Sequence, residues 1–95
     1  MHQNRIRVKY SKLGRKRALG LAHTYDKRKP IEIDERIKGK KYLEILNHEI
    51  LHILFPEKSE PEIEKAAIIL TNTQWHEGIR RVDNSNELPL QDGSK

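Results

Sequence analysis

Apolar and polar residues alternate near the start of the chain, a pattern that predicts strands. Residues 5–10 (RIRVKY) change from polar to apolar at every step, and this period of two is typical of a half-buried strand. The apolar positions of the segment, which we expect to face inward, are Ile6, Val8 and Tyr10. Strand-like segments follow at residues 19–25 and 31–34, and the charged, turn-rich residues between them predict an antiparallel hairpin. We therefore expect a small antiparallel sheet of about three strands within residues 4–34.

The spacing of the apolar residues changes to that of an α-helix after residue 40. The positions that recur at helical spacing are Tyr42, Leu43, Ile45, Leu46, Ile50, Ile53 and Leu54. Pro56 cannot continue a helix, because it lacks a backbone N–H and its ring clashes with the preceding turn. The pattern therefore predicts a first helix over about residues 40–55.

A second helix is predicted over about residues 59–77. Ser59 and Glu62 have the spacing of a capping box, and Gly78 suits the end of the helix. The expected buried stripe consists of Ile63, Ala66, Ala67 and Leu70. Since only about four residues separate the two helices, we expect them to form an antiparallel pair on which the sheet packs. The predicted fold class is therefore α+β.

The size and composition of the chain limit it to one small domain. It has 95 residues, of which 35% are hydrophobic and 35% are charged, so we expect a single domain over residues 1–82 and a flexible tail over residues 83–95. The chain has no cysteine, which excludes disulfides, thiol catalysis and cysteine-ligated zinc sites. No apolar run approaches the ~18 residues of a membrane span and no signal peptide is evident, so we expect a soluble, cytoplasmic protein with no membrane partner.

The charges are distributed unevenly between the two halves of the chain. Residues 1–41 contain 14 Lys and Arg against 4 Asp and Glu, whereas residues 42–95 contain 5 against 10. The basic half can associate with nucleic acid through residues 5–41, or it can simply be a solvated face. Only 5% of the residues are aromatic, so the sequence predicts no platform on which nucleic-acid bases could stack.

One segment of the first helix, His48-Glu49-Ile50-Leu51-His52, has the residue types of a metal site. Side chains four residues apart share a helix face, so both histidines can bind one cation. Glu49 is offset by one residue and can act as general base on a metal-activated water. Chance produces this pattern about 0.03 times in a chain of this composition. We interpret His48 and His52 as ligands of Zn²⁺ and Glu49 as catalytic; the alternative is a pair of partly exposed histidines on a surface helix.

The third protein ligand is expected from the second helix. In an antiparallel hairpin, the level of the two histidines faces residues near 62–66. At ~100° per residue, Glu64 lies beside the buried stripe and Glu60 lies one turn earlier on the same flank. Glu62 falls on the other flank and already has a role in the capping box. We therefore rank Glu64 first, Glu60 second and Glu62 third.

The hairpin ending in IEID, followed by a helix carrying LEILNHEILH, resembles the small zincin metallopeptidases. The similarity is to the SprT-like and ImmA/IrrE-like families and the short phage-type proteins related to them; it covers roughly residues 19–77, and only HEILH is specific. It implies a zincin-like core, with His48 and His52 as zinc ligands, Glu49 as the catalytic acid and base, and an acidic ligand from the following helix. The chain departs from SprT-like enzymes, because no third histidine follows within residues 53–57.

These observations favour a zinc-dependent metallopeptidase that acts on a protein or peptide substrate. In zincins an extended substrate lies along an edge strand beside the site, and the predicted hairpin supplies two candidate edges, residues 31–34 and residues 19–25. Two alternatives remain open at this stage. The first is a catalytically inactive zincin-like module that binds metal, and the second is a small basic protein associated with nucleic acid.

Overall fold

The computed structural model describes residues 4–14, 18–28 and 30–82, which form three strands and two helices. In chain order these are β1 (Val8–Ser11), β2 (Gly20–Ala22), β3 (Ile31–Asp34), α1 (Gly39–Leu54) and α2 (Glu60–His76). The predicted α+β class is confirmed, and the predicted helices differ from the observed ones by one residue at each end. The tail predicted over residues 83–95 lies outside the described residues.

The sheet is mixed rather than antiparallel, and β3 is its central strand. The pairing of β2 with β3 is antiparallel, with Gly20 opposite Ile33, as the predicted hairpin requires. The pairing of β1 with β3 is parallel, with Val8 opposite Ile31, so the prediction of a purely antiparallel sheet was wrong for β1. Alternation reveals which face a strand buries, but the direction of its neighbour depends on how the connecting chain crosses the end of the sheet.

Helix α1 lies between the sheet and α2 and contacts both. The core residues shared by α1 and the sheet are Ile31, Ile33, Tyr42 and Ile53. Those shared by the two helices are Leu51, Ile63 and Ala67. Residues 47, 51 and 52 of α1 contact progressively earlier residues of α2, which is the signature of the predicted antiparallel pair. The sheet therefore packs mainly on α1 rather than on both helices, and α1 contacts α2, β2 and β3.

Helix α2 begins and ends as its sequence predicts. The Ser59 hydroxyl accepts a hydrogen bond from the Glu62 backbone N–H, and the Glu62 carboxylate accepts one from the Ser59 backbone N–H. Gly78 follows the helix with φ +84°, a conformation that disfavours larger residues. The predicted buried stripe needs one correction, since Leu70 is 40% exposed and Thr71 is 1% exposed. The polar Thr71 can take the buried position because its hydroxyl accepts a hydrogen bond from the Asn47 side chain on α1.

The connection between the helices is short. The backbone N–H of Phe55 donates to the Leu51 carbonyl at 2.8 Å, which closes the last turn of α1, and Pro56 follows directly. Only residues 55–59 lie between the helices, so the start of α2 faces the last turns of α1. Neither helix in the described part of the chain is both long and apolar enough to cross a membrane.

Candidate metal centre

The two histidines of the motif lie on one face of α1 and meet at their ring nitrogens. The Nε2 atoms of His48 and His52 are 3.1 Å apart, and the two rings are inclined at 62° with centroids 4.8 Å apart. Both side chains are half-buried, with 21% and 26% of their surface exposed. The separation of four residues therefore brings the two imidazoles to one point that solvent can reach, as the sequence predicts.

Glu60, the first residue of α2, completes the cluster. One of its carboxylate oxygens lies 2.8 Å from Nε2 of His48, and the other lies 2.8 Å from Nε2 of His52. The ligand atoms of the three residues lie within 4.8 Å of one another, and they form the one such group found in the described parts of the chain. The short connection between the helices places Glu60 opposite the last turns of α1.

Hydrogen bonds alone do not satisfy this arrangement well. If both Nε2 atoms carry a proton, each can donate to its own oxygen of Glu60, but the 3.1 Å contact between the two nitrogens then joins two donors. If one or neither carries a proton, at least one nitrogen lone pair faces a carboxylate oxygen. A single cation removes the conflict, because it accepts lone pairs from all three side chains. Bonds of ~2.0–2.1 Å to a tetrahedral Zn²⁺ place its ligand atoms about 3.3 Å apart, and the observed separations of 2.8 to 3.1 Å are close to that. The donor set therefore fits zinc.

The structure reverses the order of the two leading candidates for the third ligand. Glu60 reaches both histidines, whereas Glu64, which we ranked first, is exposed and lies outside the group. Glu62 caps its helix, as expected. The two candidates share a flank of α2, and Glu60 is the one that lies level with the histidines. Because only five residues join the helices, the first turn of α2 is level with the histidines.

Glu49 lies next to the cluster but does not belong to it. Its side chain is half-buried, and burial raises the pKa of its carboxyl group. The charges of His48 and His52 act in the opposite direction, while Glu60 adds to the increase, so all three are close enough to influence the pKa of Glu49. Glu49 thus lies beside the candidate metal ligands without belonging to the group that they form.

Gly20 of β2 allows Glu49 to lie close to the sheet. A Cβ atom at this position would lie 2.5 Å from Cγ2 of Ile45 and 3.3 Å from Oε2 of Glu49. Any side chain here would displace Ile45 or force β2 away from α1, and it would fit tightly against Glu49. Sequence reasoning treated Gly20 only as part of a strand-like segment. An isolated glycine within a strand pattern can signal such a close approach, and here it does.

A buried polar network beside the cluster holds the two helices in register. The Asn47 amide donates to the Thr71 hydroxyl at 3.0 Å and to the Gln74 side-chain oxygen at 2.7 Å. Asn47 is 7% exposed and Thr71 is 1% exposed, so the loss of either bond would leave a buried polar group unsatisfied. Asn47 immediately precedes His48, and the network therefore fixes the rotation of α1 that points the histidines toward Glu60.

No family model, no curated protein and no solved structure matches this chain. The resemblance to small zincins thus rests on the motif and the order of elements around it. The geometry of the site is therefore the basis for a proposal about its function.

Proposed function

We propose that this protein is a zinc-dependent peptidase in which His48, His52 and Glu60 hold the metal and Glu49 acts as general base. The observation that carries the proposal is the convergence of two imidazoles and one carboxylate from two different helices, with a second carboxylate beside them. A set of two histidines and one glutamate that leaves a coordination position open is a known form of catalytic zinc site. Structural zinc sites, in contrast, usually have four protein ligands.

The chemistry divides between the metal and Glu49. Zn²⁺ held by His48, His52 and Glu60 would polarise a carbonyl group and make a water molecule acidic near neutral pH. Glu49 would take the proton from the attacking water and deliver it to the leaving amine. Glu49 lies beside the cluster with its side chain half-buried, close enough for His48, His52 and Glu60 to influence its pKa.

The peptide substrate is proposed to lie along β2. This strand is at an edge of the described sheet, since β3 alone pairs with it, and a peptide that adds to an edge lies about 4.8 Å from it. Gly20 brings β2 within contact distance of Glu49, so a peptide on this edge passes beside the general base. Of the two edges expected from the hairpin, residues 31–34 form the central strand β3, and β2 is the one that fits.

The test separates catalysis from metal binding. Glu49→Gln retains the size and most hydrogen bonds of the side chain but removes the base. We expect the cleavage of an unfolded, fluorescently labelled protein to fall by about 10²–10⁴-fold, while the zinc content measured by elemental analysis stays at the wild-type level. Glu44→Gln is the matched control, because Glu44 is also half-buried on α1, and it should leave the cleavage rate unchanged.

Three results would contradict the proposal in different ways. Wild-type protein that binds zinc but cleaves no unfolded protein would exclude the peptidase and favour a module that binds metal without catalysis. Wild-type protein that binds no zinc would exclude the metal centre itself. Equal loss of activity in Glu44→Gln and Glu49→Gln would remove Glu49 from the mechanism.

A further inference from the structure

A cavity lies at the opposite end of the helix pair from the candidate metal centre. Its volume is about 440 Å³, and the residues that line it include Tyr10, Tyr42, Trp75, Lys38, Arg80 and Arg81. Tyr42 precedes His48 by six residues, which is about 9 Å along the axis of α1. The cavity is thus separate from the metal centre, and its volume falls within the ~300–1,000 Å³ typical of small-molecule sites.

Aromatic residues are concentrated in this cavity. The chain has one Phe, one Trp and three Tyr, and three of these five residues line it. The rings of Tyr10 and Tyr42 stack with centroids 6.3 Å apart, and their hydroxyl groups are 2.8 Å apart. Tyr42 is 7% exposed, and burial together with the Tyr10 hydrogen bond raises its pKa to about 12, so its hydroxyl keeps its proton. Folding thus gathers three aromatic residues from distant parts of the chain, at positions 10, 42 and 75, around one cavity.

Two arginines lie over these rings. The guanidinium carbon of Arg81 is 4.4 Å from the centroid of the Tyr10 ring, and that of Arg80 is 3.4 Å from the Trp75 ring. Arg80 also donates hydrogen bonds to the carbonyls of Trp75 and Ile79, which fix its position. A guanidinium group held flat over an aromatic ring presents its other face to a planar ligand.

Within the described part of the chain, no ion pair with a carboxylate neutralises the positive charge around the cavity. Among residues 4–14, 18–28 and 30–82, none of the ion pairs involves Arg80, Arg81 or Lys38. Glu35 is the acid that lines the cavity, and it forms no ion pair with the three cations. Lys38 caps α1 without a side-chain hydrogen bond, and the first turn of α1 contains no acid. Among the described residues that line the cavity, an entering anion therefore meets three cations and one acid.

We propose that this cavity binds a nucleotide, with the base stacked against the arginine-covered aromatic rings and the phosphate paired with Arg81 and Lys38. The cavity combines planar stacking surfaces with cations that form no ion pair among the described residues. For this reason it suits a nucleotide better than a simple anion. An acidic peptide would use the charges but would leave the rings without a partner. A nucleotide uses both, and it can come from a free mononucleotide or from a single-stranded nucleic acid.

Trp75 provides a direct readout of binding, because it is the only tryptophan of the chain and lines the cavity. The full-length protein is titrated with a short single-stranded oligoadenylate, with AMP, with inorganic phosphate and with polyglutamate, and the tryptophan fluorescence is recorded. We expect saturable quenching by a nucleotide probe, since a base stacked near the indole quenches it. Saturation by AMP would identify a free nucleotide as the ligand, and saturation by the oligoadenylate alone would identify a single-stranded nucleic acid.

Matched variants distinguish the cavity from overall charge. Arg81→Gln and Lys38→Gln should each weaken nucleotide binding by about tenfold or more, in the range that loss of a stacking or phosphate contact produces. Lys65→Gln changes the same charge at an exposed site on α2 and should leave binding unchanged. Thermal melting of each variant shows that the fold is retained, and zinc content shows that the metal centre is unaffected.

The proposal is overturned by any of three results. The first is the absence of quenching by both AMP and oligoadenylate. The second is an equal loss of affinity in Lys65→Gln and Arg81→Gln, which would mean that net charge alone attracts the probe. The third is quenching by polyglutamate or phosphate as strong as that by the nucleotide probes, since the cavity would then recognise charge without stacking.

Discussion

The structure contains two clusters that combine histidine with glutamate, and their geometry differs in a way that bears on function. In the helix cluster, His48, His52 and Glu60 direct their polar atoms at one point between α1 and α2. In the sheet cluster, His23 and Glu32 lie on the face of the sheet opposite α1 and form part of a chain of hydrogen bonds. The residue types are the same, so composition alone does not separate the two.

The sheet cluster pairs each donor with an acceptor. The ring nitrogens of His23 contact two different partners, the Tyr25 hydroxyl at 2.9 Å and a Glu32 carboxylate oxygen at 3.0 Å. The Ser11 hydroxyl donates to the other oxygen of Glu32 at 2.6 Å. One tautomer of His23 satisfies this whole chain, in which Nε2–H donates to Glu32 and Nδ1 accepts from the tyrosine hydroxyl.

In the helix cluster each Nε2 contacts both the other ring and the carboxylate, so a proton on each nitrogen satisfies the two contacts with Glu60 but not the contact between the rings. Convergence of lone pairs on one point is therefore the feature that separates a ligand set from a structural hydrogen-bond network. The comparison predicts that zinc binds at the helix cluster and that the sheet cluster only stabilises the strands. Substitutions in the two clusters should accordingly have different consequences.

The largest expected effect is the loss of zinc when both helix histidines are removed. A His48→Ala, His52→Ala double variant should bind zinc more than about 100-fold more weakly than the wild type, because one carboxylate alone holds zinc poorly. Affinity is measured by competition with a fluorescent chelator, using protein purified without an affinity tag. His23→Ala is the control from the sheet cluster and should bind zinc as the wild type does. A similar loss in His23→Ala would remove the distinction between the clusters.

A smaller effect is expected from the third ligand. Glu60→Ala leaves two imidazoles in place, so we expect zinc affinity to fall by at least about tenfold with the fold intact. Glu64→Ala removes an exposed glutamate one turn further along the same flank and should change nothing. Zinc loss in Glu64→Ala with normal binding in Glu60→Ala would restore the ranking that the sequence suggested, and would require the start of α2 to move when metal binds.

The Asn47 network should affect stability more than metal binding. Asn47→Ala leaves the Thr71 hydroxyl and the Gln74 amide without a buried partner, and we expect a loss of about 1–3 kcal/mol in the free energy of unfolding. Chemical denaturation with saturating zinc measures the change. Zinc should still bind with one equivalent, since all three ligands remain. Complete loss of zinc from folded Asn47→Ala would mean that the network is part of the metal centre.

The smallest effect concerns Asp34, a carboxylate that is separate from both clusters. Its oxygens accept hydrogen bonds from the Arg36 side chain, at 2.9 and 2.7 Å, and from the backbone N–H groups of Arg36 and Leu13. These donors, the Arg36 side chain first, hold the pKa of Asp34 well below its usual value of 3.8. The folded state thus favours the charged form, which stabilises the protein above about pH 4, and this contribution is lost as the pH falls through the folded-state pKa.

Replacement of Asp34 by Asn should therefore flatten the dependence of stability on pH below about pH 4. The measurement is thermal melting of metal-free wild type and Asp34→Asn across the acid range, which keeps loss of zinc from contributing. If both proteins lose stability with the same slope, other carboxylates must dominate the acid response. Glu62 is the next candidate, because hydrogen bonds from Ser59 also lower its pKa.

The sequence predicted the local features and left two longer-range ones undetermined. Caps, Pro56 and apolar spacing define each helix within a few residues, so α1 and α2 were expected nearly as they are. The parallel pairing of β1 with β3 depends on residues distant in the chain, and alternation carries no information about it. The candidate metal centre also combines a local feature with a longer-range one. The spacing of His48 and His52 sets their shared face, whereas the level of Glu60 depends on the length of the turn between the helices.

Gly20 and Tyr10 illustrate what sequence patterns miss. The role of Gly20 appears only when β2 is placed against Glu49, and the role of Tyr10 appears only when Tyr42 and Trp75 gather around the same cavity. Both depend on contacts between residues more than 25 positions apart. A count of glycines or aromatic residues therefore underestimates what a small fold can assemble from them.

The central claim is that His48, His52 and Glu60 together bind one zinc ion. Anomalous X-ray scattering at the zinc edge, from crystals grown with one equivalent of zinc, tests it most directly. We predict one strong anomalous peak about 2.0–2.2 Å from both Nε2 atoms and from a Glu60 oxygen, and none at His23. A peak at His23 and Glu32, or zinc bound away from the helix cluster, would contradict the account.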